Sequence, residues 1–120
     1  MKILPLSKKA DWTLPEQELL KQEFQSAKKF EEVRVGTTHL FYRSFIRVRM
    51  IPLAECARIF LRIEMGEYGD LPIHEHYVVV KTKQDEELVL RMERPSDAKE
   101  LLAYLEEMHP DIKFGKEINP

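Results

Sequence analysis

Residues 33–65, VRVGTTHLFYRSFIRVRMIPLAECARIFLRIEM, decide the fold. β-Branched and aromatic side chains dominate the run, and apolar positions alternate with polar ones at the two-residue period of extended chain. Strands are expected over 33–37, 39–45, 47–53 and 55–65. The last is the clearest, because Ala57, Ile59, Leu61 and Ile63 alternate with Arg58, Phe60, Arg62 and Glu64. Pro52 marks the approach to that strand, since proline has no N–H to donate to a central ladder.

Downstream, Gly66-Glu67-Tyr68-Gly69-Asp70-Leu71-Pro72 carries two glycines, an aspartate and a proline in seven residues, the composition of a loop. Strands over 76–82 and 87–93 then flank Lys83-Gln84-Asp85-Glu86 as a hairpin. Ser96 is a suitable cap for a final helix over 96–109, with Asp97 placed to meet the positive end of the helix dipole. Ala98, Leu101, Leu102, Leu105 and Met108 form its apolar stripe, fit to plug the open end of a sheet, and Pro110 ends it. Upstream, the Thr13/Glu16 spacing is that of a capping box. Leu19, Leu20, Phe24, Ala27 and Phe30 then recur at helical spacing, which predicts a helix over 13–32. Ile3, Leu4 and Leu6 suit a short edge strand, and residues 7–11 read as solvated.

The reading is α+β: a curved antiparallel sheet of roll or barrel type, a C-terminal capping helix and an additional N-terminal helix. At 120 residues the chain is expected to be one domain, 1–120. Within it, 1–32 form the N-terminal segment and helix, 33–95 the strands, 96–109 the last helix and 110–120 a tail. A hydrophobic fraction of 43% and a charged fraction of 33% are those of a soluble globular protein. No apolar run reaches the roughly 20 residues of a membrane-spanning helix. MKILPLSKKADW lacks the apolar stretch of a secretory signal, so a cytoplasmic location is expected. The lone cysteine, Cys56, agrees with a reducing compartment. A net charge of −2 argues against nucleic acid as a partner.

Strands running into IPLAECARIFLRIE, then a hairpin, a capped helix and the ending HPDIKFG, make residues 33–115 resemble small bacterial proteins with a pleckstrin-homology-like fold, several of them domains of unknown function. The resemblance implies seven strands, where the sequence shows six, and a binding or assembly role without a shared catalytic set.

Three surfaces compete for function. Between Val33 and Met65 stand six arginines against two acids and no lysine. Arginine forks suit carboxylates and phosphates, while the plainer reading is a solvated sheet face with cross-strand ion pairs. Arg47 and Arg49 share one strand face, as do Arg58 and Arg62. Phe41, Phe45 and Phe60 fall on the parity opposite to Leu40, Tyr42 and Ile59. One set is therefore expected in the core and the other partly exposed, unless the N-terminal helix covers it. His74 and His76, alternate residues on a strand, could hold a metal with Asp70 or His39 as further ligands, although paired surface histidines are commonly only solvated.

Cys56 lacks a local histidine signature and is expected as a small core residue. The four glycines form neither a dinucleotide fingerprint nor a P-loop. The expectation is a non-enzymatic protein-interaction or assembly module without cofactor, binding another protein or itself through Phe45, Arg47, Arg49, Phe60 and Arg62. The alternative is a binder of a small anion or lipid headgroup on the same arginines, although no basic loop motif supports membrane-surface contact. A metal-dependent activity at His74 and His76 comes third.

Overall fold

A computed structural model describes residues 3–5, 14–69 and 71–115 of the chain. The expected Thr13 cap, the solvated segment 7–11 and Asp70 lie outside these residues. The chain divides into two compact units, residues 1–55 and 56–120. The α+β class holds, but the strands hydrogen-bond in two sheets rather than one curved sheet, and two of the pairings are parallel.

In the first unit β1 (Ile3–Pro5) precedes α1 (Leu14–Ser26), followed by β2 (Lys28–Phe30), β3 (Val33–Val35), β4 (His39–Ser44) and β5 (Arg47–Pro52). The sheet order is β1-β5-β4-β3-β2, antiparallel except for β1 on β5. The expected helix over 13–32 therefore ends at Ser26. Phe30 leaves the helical stripe to pair with Val33 across a tight reversal at Glu31, whose φ is +56.

Phe24 and Leu20 point into a cluster with Ile3, Phe41, Val48 and Met50, and the Phe24 and Phe41 rings meet edge to face at 5.4 Å. Leu19, expected on that buried face, is 66% exposed. Its place is taken by Gln17, whose amide donates to the Ile3 carbonyl at 3.0 Å and accepts from the Ile3 N–H at 3.2 Å. One side chain thus bonds both backbone groups of Ile3, the first residue of β1. On the opposite side of this sheet Val33, Val35, Leu40, Tyr42 and Ile51 are buried as well, so burial here does not follow strand parity.

A single 3-10 turn, Leu53–Glu55, leads to the second unit: β6 (Cys56–Tyr68), β7 (Leu71–Thr82), β8 (Glu87–Met92), α2 (Pro95–Met108) and β9 (Lys113–Phe114), in sheet order β8-β7-β6-β9. Cys56 is buried. The expected loop at 66–72 is instead the end of a long ribbon, since β6 and β7 stay paired through Tyr68 and Leu71. Pro72 is tolerated because β8 pairs with β7 only from His76 onward, leaving that part of β7 an edge among the described residues. α2 starts at Pro95 with Arg94 rather than Ser96 at the cap position. It packs on β6, β7 and β8 and buries Ala98, Leu101 and Leu105 completely.

Gln17→Ala leaves the Ile3 N–H and carbonyl without that partner in a buried setting. The expected loss is roughly 1–3 kcal/mol, read as a lower denaturant midpoint at unchanged m-value.

Candidate functional site

β4 and β5 are joined by only two residues, because Ser44 pairs directly with Arg47. A link this short forces left-handed backbone on its first residue, a demand that glycine or asparagine normally meets. Here the residue is Phe45, at φ +58. A left-handed conformation costs an L-residue roughly 1–2 kcal/mol, and this tip gains no packing in return. Phe45 is 96% and Ile46 93% exposed. Two large apolar side chains thus project side by side from a strained turn.

The tip is flanked by cations. Arg47 is exposed, and Arg49 lies two residues along the same strand face, where it pairs in register with Tyr42 as Arg47 does with Ser44. Arg43, on the other face, reaches Glu32 at 3.4 Å. Hydrophobic anchors beside arginines are the composition of protein contact surfaces.

Of the five residues expected to form a contact surface, Phe45, Arg47 and Arg49 belong to this hairpin, and Phe60 and Arg62 to the second unit. Phe60 is buried, with 6% exposure. Arg62 lies with its guanidinium 5.7 Å from the Phe60 ring centre and donates to Glu87 at 3.2 Å. The expected either/or burial of the phenylalanines gives way to a third arrangement: Phe41 and Phe60 are both buried and Phe45 alone of the three is exposed. Ile46 was not among the expected site residues. The sequence gives no turn signal for it, since neither Phe45 nor Ile46 is glycine or asparagine, and the two-residue link shows only in the register of Ser44 with Arg47.

A second polar constellation joins α1 to the β3–β4 turn. Glu23 Oε2 accepts from the backbone N–H groups of Thr38 at 3.1 Å and His39 at 2.8 Å. Oε1 accepts from the Thr38 hydroxyl at 2.7 Å and lies 3.0 Å from His39 Nδ1. A carboxylate only accepts, so the bond to the ring requires the proton on Nδ1. Burial pushes the Glu23 carboxyl up, but the bonds from the Thr38 hydroxyl, the His39 ring and the Thr38 backbone, with the His39 charge, outweigh it. They hold it below its ordinary value of 4.5. Gly36 is required beneath this carboxylate, since a Cβ there overlaps it. The cluster works as a clamp.

A cleft of about 290 Å³ on the first unit is lined by Phe24, Lys29, Glu31, Glu32, Arg34, Tyr42, Arg43 and Val48. Arg34 stacks 4.1 Å from the Phe24 ring centre and donates to the Phe24 carbonyl. With Arg43 held by Glu32, much of the cleft's positive charge is already engaged.

His74 and His76 share one face of β7, opposite Met65 and Ile63 of β6, as alternation required. No grouping of three metal-ligating side chains exists among the described residues. His39, the suggested extra ligand, is held by Glu23 instead. No helix among the described residues is long and apolar enough to cross a membrane. No family model, curated protein or solved structure matches this chain.

Because folding lowers the Glu23 pKa, its stabilisation is complete above the unfolded value near 4.5 and is lost as pH falls through the lower folded value. Glu23→Gln is expected to cost roughly 1.5–3 kcal/mol at neutral pH and to flatten that acid limb of the stability profile. Chemical denaturation across the acid range reads both effects.

Proposed function

We propose that the protein is a non-enzymatic interaction module that presents the β4–β5 tip to another protein. The partner's surface offers an apolar pocket rimmed by carboxylates. The observation that carries this reading is Phe45, held at φ +58 with 96% of its surface in solvent. A residue that strains the backbone and gains no burial in the free chain stabilises only a bound state. Seating Phe45 and Ile46 in a pocket contributes roughly 1.5–3 kcal/mol for each side chain. Arg47 and Arg49 beside them favour an acidic rim and faster encounter at low salt.

The pleckstrin-homology-like resemblance belongs to the same proposal. Seven successive strands, β2 to β8, followed by a C-terminal helix speak for it, Lys28–Phe30 being a strand beyond the six read from the sequence. A role for the fold as a binding platform agrees with it.

The cleft beside Lys29 favours a second reading, binding of a small anion, in which Lys29, Arg34 and Arg43 face the ligand. Glu31 and Glu32 in the same lining oppose it, which places it behind the tip. A metal-dependent activity at His74 and His76 stands third, since two imidazoles fall short of the four ligands zinc takes.

Phe45→Gly separates strain from contact. The variant is expected to be more stable than the parent by about 1 kcal/mol, and to retain less partner in a pull-down from native lysate. Arg47→Glu, Arg49→Glu is expected to lose the partner with an altered salt dependence. Undiminished retention by both variants rejects the tip as the contact surface. For the second reading, Lys29→Glu abolishes any thermal stabilisation by inorganic phosphate.

A further inference from the structure

The β6–β7 ribbon carries a second surface uncommitted among the described residues, on the edge of β6 rather than on its faces. Along that edge β9 pairs with Arg58 and Ile59 only. From Leu61 to Met65 the edge meets no strand among the described residues, while the opposite edge is fully paired with β7. An exposed edge of this kind is a template for another strand, and proteins commonly blunt it with lysine, proline or a bulge. The segment Leu61-Arg62-Ile63-Glu64-Met65 contains none of these three, the two charges it does carry, Arg62 and Glu64, are opposite in sign, and the one irregularity of β6 lies upstream, between Cys56 and Arg58. Ile63 is 51% and Met65 75% exposed.

The segment is also self-complementary when reversed. Antiparallel pairing of two copies about a twofold axis at Ile63 sets Ile63 opposite Ile63, Leu61 opposite Met65, and Arg62 opposite Glu64. Residues facing each other across such a pair lie on the same side of the sheet. One side therefore gains a continuous apolar row of Leu61, Ile63 and Met65 from each chain. The other gains two symmetric Arg62/Glu64 ion pairs. Arg62 already bonds Glu87 of its own sheet, and the arginine fork has donors for a second carboxylate. Slipping the register by two residues in either direction sets Arg62 opposite Arg62 or Glu64 opposite Glu64. The charges thus select one register.

We infer that the Leu61–Met65 edge of β6 pairs with the same edge of a second copy, giving an isologous twofold dimer whose sheet runs continuously through both chains. A closed twofold contact uses the edge up, so it does not propagate into fibres. The window is short because β9 occupies the same edge at Arg58 and Ile59. Gly66, just beyond it, gives each strand the backbone freedom to diverge. This inference is independent of the β4–β5 tip.

Sedimentation of the full chain over a range of concentrations tests it. The wild type is expected to dimerise, and Glu64→Arg and Arg62→Glu each to sediment as monomers, since each sets like charges face to face. An equimolar mixture of the two variants is expected to regain the dimer, because every cross pair is then opposite in sign. Ile63→Cys reads the register without changing any charge. Oxidation should join two copies through residue 63, whereas Leu61→Cys, which faces Met65, should not cross-link. A monomeric wild type overturns the inference, as does a dimer that survives Glu64→Arg. A cross-link that forms equally well at residue 61 also overturns it. If Arg62→Glu fails to fold beside Glu87, the Glu64→Arg and Ile63→Cys measurements still decide the question.

Discussion

The two-residue link between β4 and β5 is the constraint on which the functional reading depends. Ser44 opposite Arg47 leaves Phe45 and Ile46 no route back into their own sheet. The register that fills the core through Phe41, Met50 and Ile51 is therefore the register that puts both tip side chains into water. Moving the register by one residue breaks the cross-strand pairs Phe41–Met50 and Leu40–Ile51, on which the two buried faces of this hairpin are built. Strain and exposure at Phe45 are thus consequences of the packing of β4 on β5, and another residue type could occupy that position at lower cost.

The first unit supports that hairpin from behind by polar devices as much as by apolar ones. Gln17 ties β1 to α1, and the Glu23 carboxylate gathers the β3–β4 turn onto the same helix, with Gly36 making room. Both are side-chain-to-backbone arrangements in which one residue satisfies several donors or acceptors. They hold α1 where Phe24 can meet Phe41. The second unit relies more on its ladders, with thirteen-residue β6 and twelve-residue β7 forming its spine and α2 covering part of it.

Much of this was legible in the chain. Alternation located β3 to β6 and β8 within a few residues, and helical spacing located α2 within one. What alternation does not report is a strand buried on both sides: Leu40, Phe41 and Tyr42 of β4 are consecutive and all buried, and so are Ile59 and Phe60 of β6, which is why Phe60 is not part of an exposed face. β2 was hidden because Phe30 fits the helical spacing of Leu20, Phe24 and Ala27 while also fitting a strand. The reversal at Glu31 lacks the glycine or asparagine that announces one. Gly66, Gly69 and Pro72 imitated a loop because an edge ribbon tolerates what a central strand rejects. Arg47, Arg49 and Phe45 were legible as site residues. Ile46 was not, and neither was the Glu23 clamp, whose partners stand fifteen and sixteen positions away in sequence.

The central claim is that the β4–β5 tip is exposed in the free chain and covered in its complex. Amide hydrogen exchange of residues 43–49, measured with and without a captured partner, addresses it directly. Rapid exchange at Phe45 and Ile46 in the free protein, slowed on binding with the strongest protection at the hairpin, is the predicted result. Protection that appears elsewhere on the chain while the hairpin exchanges as before contradicts the account.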